Sequence, residues 1–299
     1  MSTPPVPTRM LVHALVREDG TVDAGELYEV GGLLGMSDQQ VRLCVKRLVA
    51  EGRFTHEGRG RKALLRAVAD ADGALAPDLA FIRLAYAQDR GAAPWDGTWH
   101  LFGFAVPESD RAARDSLRAS LVRLGAAPLQ SGLYVSPHAI GPLVGAEAER
   151  LGVAAALTGL TCTDLRRGEL ADPAALAAAL WPPEPVAERY GRLAALAREV
   201  LDRLAGARPL PRPERLGLSV RLAAAFGEAM EPDPLLPPEL LPRPWPGAGA
   251  RALAAECWDA LARAAEEEDG EDRDGGGPGP SGRAGAPRLF ALYRSLLDE

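Results

Sequence analysis

The sequence predicts an α+β protein of several domains, and three features carry that reading. Near the N-terminus an amphipathic helix runs straight into a basic, glycine-marked ribbon. In the middle, alternating bulky segments are interleaved with helical ones. Beyond Pro182-Pro183 the pattern is helical almost throughout. With 299 residues, the chain has room for two or three domains and a sizeable core.

The N-terminal helix is the most informative element. From Ser37 to Gly52, apolar residues fall at Val41, Cys44, Val45, Leu48 and Val49, the rhythm of one buried helical face. Ser37 suits an N-cap and Gly52 a stop just past the last turn. Gln39, Gln40, Leu43, Lys46 and Arg47 then point the other way. Upstream, Met10 to Val16 and Asp23 to Leu34 give two further helices, with Gly35-Met36 as the turn into Ser37. Downstream, Arg53 to Glu57 and Lys62 to Ala67 can pair as strands around Gly58-Arg59-Gly60-Arg61, whose glycines allow positive φ. Together these make a winged helix-turn-helix, in which the Ser37 to Gly52 helix is the recognition helix and the wing can reach a minor groove. The residues expected to face DNA are Ser37, Gln39, Gln40, Arg42, Leu43, Lys46 and Arg47 on the helix and Arg59, Arg61 and Lys62 on the wing.

Charge supports this locally. Ser37 to Ala67 carries eight Lys/Arg against three Asp/Glu, while the whole chain is acidic at net −7. That balance excludes a non-specific coating protein and suits one that holds DNA through a single patch.

After a connecting helix at Asp78 to Gln88, a second unit opens at Pro94-Trp95-Asp96-Gly97. His100 to Val106 reads as a strand and Asp110 to Leu124 as a helix. Leu129 to Ser136 is a strand region with a Ser131-Gly132 irregularity, Pro142 to Leu151 another helix, and Ala155 to Leu165 a further strand. This order suggests a ferredoxin-like α/β sandwich. Helices follow at Val186 to Leu204, Ser219 to Met230 and Ala248 to Ala265, with a proline-rich crossing at Glu231 to Trp245. The expected domains are 1–70 (winged helix), 71–93 (connecting helix and linker), 94–182 (central domain) and 183–299 (helical domain). Within the last, the acidic and Gly/Pro-rich stretch 266–287 is expected to be disordered, and Arg288 to Leu297 to form a closing helix.

No stretch of about 18 apolar residues spans a membrane, and the N-terminus lacks a signal peptide's apolar core. Cys44, Cys162 and Cys257 form no metal or disulfide pattern, which points to a reducing cytoplasm. His13, His56, His100 and His138 share no ligand spacing, so neither a metal nor a cofactor is expected. The Gly58-x-Gly60 run is followed by a strand rather than a helix, which rules against a dinucleotide loop. No nucleophile elbow is present.

Several segments together resemble the PaaX-like regulators, the phenylacetic-acid-degradation repressor family. They are Val41-Arg42, Arg47-Leu48-Val49 with Glu51-Gly52, Gly58 to Arg61, Pro94-Trp95-Asp96-Gly97-x-Trp99, Leu124-Gly125, and Gly132-Leu133-Tyr134-Val135-Ser136-Pro137. The most specific is Asp233-Pro-Leu-Leu-Pro-Pro-Glu-Leu-Leu-Pro242 with Trp245-Pro246-Gly247. The stretch 266–287 looks like an insertion. The resemblance implies a homodimer that binds operator DNA, represses aromatic-acid catabolism genes and is released by an aryl-acyl-CoA such as phenylacetyl-CoA. No residue is assigned to the effector: Trp95, Trp99 and Trp245 could stack on an aryl or adenine ring, but core or interdomain packing is the favoured reading of these indoles. The helices at 186–204 and 248–265 are expected to supply the dimer interface, because their aliphatic surface exceeds what one small bundle buries.

The alternative is an enzyme or nuclease-like protein on the central scaffold, with the winged helix as a docking module. The central unit is similar to small CRISPR-associated nucleases, which end their first strand on a metal-binding acid. Here that strand ends Phe104-Ala105-Val106-Pro107, so a non-enzymatic role is expected.

Overall fold

The computed structural model describes residues 6–68, 79–274 and 287–289. They form a mixed α/β protein with two antiparallel sheets and ten α-helices among the described residues. The chain divides into two compact units. One gathers 1–83, 188–231 and 246–299; the other comprises 84–187 and 232–245. Compactness therefore groups the chain across its length, whereas the division expected above follows sequence order.

The first unit begins with α1 (Thr8–Ala14), β1 (Thr21–Asp23), α2 (Ala24–Leu33) and α3 (Asp38–Ala50), followed by β2 (Phe54–Glu57) and β3 (Leu64–Ala67). The sheet order is β1-β3-β2. Leu11, Leu27, Val30, Val41, Leu48, Phe54 and Leu65 pack as its buried apolar core. Strand β1 was not expected: three residues, Thr-Val-Asp, are too short a run to establish a period, and pairing with β3 makes them a strand. The unit is completed by most of α8 (Glu184–Leu204), by α9 (Arg212–Met230) and by α10 (Pro246–Asp274). Glu26 on α2 is held between Arg17 (3.2 Å) and Arg212 of α9 (2.6 Å), while α2 packs along α9.

Two expectations change here. Helix α10 runs on through Glu266 to Asp274, inside the stretch expected to be disordered. Extending an existing helix costs far less than nucleating one, and the Glu-rich run supplies good helix formers. Residues 275–286 and 290–297 lie outside the described residues. The aliphatic faces proposed as a dimer interface are also already used. Tyr190, Leu193, Ala197 and Val200 of α8, and Ala254, Cys257, Trp258 and Leu261 of α10, are buried within the unit. Burial raises the Cys257 thiol pKa to about 12, so the group is inert, and it donates to the Ala197 carbonyl at 3.2 Å.

The second unit follows α4 (Leu79–Asp89), whose last residues belong to it. It consists of β4 (Trp99–Phe104), α5 (Arg111–Arg123), β5 (Ala127–Gln130), β6 (Leu133–Ser136), α6 (Gly141–Arg150), β7 (Leu157–Cys162) and α7 (Pro173–Leu180). The sheet order β5-β6-β4-β7, antiparallel throughout, is the β-α-β-β-α-β ferredoxin-like arrangement. The expected strand region at 129–136 is a hairpin turning at Gly132, with φ +73°. Alternation along the strands loads both faces. Phe102 and Tyr134 pack with Leu117, Leu121 and Val144 of α5 and α6. Trp99, Leu101 and Val135 pack with Leu176 of α7 and with Leu236 and Leu240 of the proline-rich segment.

Candidate nucleic-acid interface

The α3 surface is fixed at both ends by local chemistry. The Ser37 Oγ accepts from the Gln40 backbone N–H (3.2 Å), and the Gln40 Oε1 accepts from the Ser37 backbone N–H (2.8 Å) and hydroxyl (3.0 Å). This reciprocal capping box satisfies two otherwise orphaned donors. At the other end Gly52 adopts φ +71° and the Arg53 N–H returns to the Leu48 carbonyl at 3.0 Å. Val41 and Leu48 turn inward and are buried.

All ten residues expected to face DNA are exposed: Ser37, Gln39, Gln40, Arg42, Leu43, Lys46 and Arg47 on α3 and its cap, and Arg59, Arg61 and Lys62 between β2 and β3. The ribbon tip is a 3-10 turn over Gly60–Lys62, reached through Gly58 and Gly60 at φ +86° and +65°. It lies against α2, because a Cβ on Gly25 would stand 3.0 Å from the Arg61 carbonyl oxygen. The Arg61 guanidinium sits 3.4 Å from Asp38 at the start of α3 and 6.0 Å from the Tyr28 ring centre. Sequence reasoning missed Gly25, Tyr28 and Asp38. Only Asp38 left a signal, as an acid in a first helical turn.

The second unit holds a cavity of about 230 Å³. Trp181, Trp245, Leu180, Leu236 and Leu241 line it, with Asp233 as its one charged lining residue. Beside it, Leu235 adopts φ +48°, a conformation uncommon for a residue with a branched side chain. Three groups hold it there. Asp233 Oδ1 accepts from the Leu235 N–H, and the Leu235 carbonyl accepts from Gln88 Nε2 and His138 Nε2, each at 2.8 Å. The carbonyl can only accept, so His138 carries its proton on Nε2. Burial lowers the His138 pKa below its ordinary value.

Trp99 is buried, edge-on to Trp95 at 5.0 Å and stacked with Trp181 at 6.4 Å. Of the three candidate ligand-stacking indoles, Trp245 alone lines the cavity. The α5 arginines are engaged locally: Arg114 with Glu108 at 2.7 Å, Arg118 with Asp115 at 3.9 Å, and Arg123 with Ser120 at 3.3 Å.

Two family models match the chain. Residues 92–176 match the PaaX protein central Cas2-like domain, and residues 181–268 match the PaaX-like protein C-terminal domain. The chain belongs to the PaaX-like family of transcriptional regulators. Both matches lie beyond the N-terminal segment that carries α3. No curated protein matches the chain. Among solved structures, the uncharacterized protein Rv0674 from Mycobacterium tuberculosis is 26% identical, with 81% of this chain and 88% of that chain covered at a TM-score of 0.47. No helix among the described residues is long and apolar enough to cross a membrane.

Proposed function

We propose that the protein is a DNA-binding repressor of aromatic-acid catabolism genes of the phenylacetate type, acting as a homodimer and released by an aryl-acyl-CoA. In this reading residues 1–70 are a winged helix-turn-helix, 94–182 a non-catalytic central domain, and 183–299 a helical domain. The observation that carries it is α3. This helix is capped at both ends and lies beside the three-stranded sheet, and its outer face offers amides and cations to the solvent. Arg42, Lys46, Arg47, Arg59, Arg61 and Lys62 pair with phosphates or guanines, and Gln39 contacts base edges.

One winged helix buries too little surface for nanomolar operator affinity, so two copies on a palindrome are required. Release follows by linkage: the effector binds the DNA-free dimer more tightly than the DNA-bound one. The second unit's cavity supports the effector reading, since two indoles and aliphatic walls suit an aryl ring while the bulky nucleotide stays outside.

Mobility shifts on the DNA upstream of the protein's own gene, across a salt series, test the interface. Arg59→Ala with Arg61→Ala should weaken binding to all sequences and reduce the log–log salt slope by about one per lost phosphate contact. A wild-type slope would remove the ribbon from the interface. An aryl-acyl-CoA should raise the Tm and lower operator affinity together, and indifference to every such compound would sink the effector reading.

A further inference from the structure

Two features of α3 together restrict what it can read. The first is Leu43, 53% exposed at the centre of the outer face. Its helical neighbours at i±3 and i±4 are Gln39, Gln40, Lys46 and Arg47, all exposed and polar. A single exposed leucine is ordinary on a protein surface. This one stands in the middle of a face otherwise made of hydrogen-bonding groups.

The second is the capping box. A backbone N–H can only donate, so the Gln40 atom 2.8 Å from the Ser37 nitrogen must be its oxygen. That oxygen also accepts from the Ser37 hydroxyl. Gln40 is left with N–H groups to offer outward. The two-bond pairing of glutamine with adenine needs the oxygen to accept from N6 while the nitrogen donates to N7. Gln40 cannot make it without breaking the cap. Gln39, exposed beside it, is not engaged in the cap.

In the major groove only one base presents an apolar group, the 5-methyl of thymine. Against any other base edge, Leu43 would strip water from a polar atom and return no hydrogen bond. We propose that Leu43 covers a thymine methyl in the major groove and makes α3 a thymine-selective reader. This inference rests on the DNA-binding reading above and names the base which that surface selects.

The test is selection of bound duplexes from a random pool by the full chain, wild type and Leu43→Ala in parallel. Leu43 is exposed, so the variant should fold, and a thermal melt checks this. The wild type should enrich a motif with a thymine that the variant no longer enriches. Replacing that thymidine by deoxyuridine in the selected duplex removes only the methyl. It should weaken wild-type binding about fourfold per methyl covered, and leave binding of Leu43→Ala unchanged. An enriched motif with no Leu43-dependent thymine overturns the proposal while DNA binding stands. So does an equal deoxyuridine penalty in both proteins, which would place the methyl's effect in DNA shape or at another residue. If the wild type enriches no sequence, the specific DNA-binding reading fails, and this proposal fails with it.

Discussion

Helices α3 and α9 belong to the same compact unit and treat their residues in opposite ways. Of nineteen residues in α9, twelve are buried; of thirteen in α3, two are. Even the charge on α9 is used internally: Arg215 is buried and donates to the Leu210 carbonyl. On α3 the cations Arg42, Lys46 and Arg47 stay in water and the amphipathic face is shallow. A helix that anchors a core buries most of its circumference. A helix with only Val41 and Leu48 fully buried, and Cys44, Val45 and Val49 partly so, leaves most of its circumference in water. The charge count alone would not separate the two helices, because both carry arginines. What separates them is where the arginines sit: Arg215 is buried against a carbonyl of its own chain, whereas Arg42 and Arg47 are exposed.

The largest expected effect falls on the buried side of this comparison. Phe226→Ala in α9 should lower the unfolding free energy by about 3–5 kcal/mol, read from urea midpoints, because the cavity left behind cannot fully collapse. DNA affinity of the fraction that stays folded should be unchanged. An unshifted midpoint would mean that α9 is not an anchor.

A smaller effect belongs to the outward side. Arg47→Ala should reduce discrimination between operator and random DNA by about 1–3 kcal/mol, the worth of a bidentate contact to a base edge, with an unchanged Tm. An unaltered specificity ratio with weakened overall binding would reassign Arg47 to a phosphate. Ser37→Ala tests the cap and should cost about 1 kcal/mol of stability. It should also remove one of the two bonds that hold the Gln40 oxygen, leaving the backbone N–H bond in place, and so broaden base preference at one position. A stability loss with no change in preference would detach Gln40 from base reading.

The smallest effect concerns Asp38, a negative charge at the N-terminal end of α3 and 3.4 Å from Arg61. Both partners are well exposed, so the pair itself contributes little. Asp38→Asn should nonetheless tighten binding to DNA of any sequence, and the gain should shrink as salt is raised. Weaker binding at low salt would mean that Asp38 orients Arg61 for contact instead of competing with phosphate for it.

The parts of this fold that were legible in the sequence depend on local rules. Helix α3, its Ser37 cap, the Gly52 stop and the ribbon around Gly58 and Gly60 were readable from spacing and glycine alone. Helix α7 was not, since Pro-Ala-Ala-Leu-Ala-Ala-Ala-Leu has no polar face to give it a period. Strand β1 depends on its pairing with β3. The Asp233 to Pro242 motif was visible as a string, but its place against Trp99, Leu101 and Val135 is a long-range fact. The Ser37-x-x-Gln40 signature was present as well. What escaped was its chemical consequence, that one glutamine oxygen is already occupied.

Glu26 carries a further consequence, for the order in which the chain can fold. Its partner Arg212 lies 186 positions away, and the unit they share is drawn from three separated stretches of chain. A ribosome delivers α2 long before α9. During that interval the acid has only Arg17 beside it, and the side of α2 that packs along α9 is uncovered. Pairings this distant in sequence make closure slow and favour assembly late in synthesis. The second unit needs one late segment, 232–245, yet its four strands and their two covering helices are contiguous. The nascent chain is therefore expected to acquire protease resistance first around β4 to β7. The N-terminal segment should stay cleavable until α9 and α10 have left the ribosome.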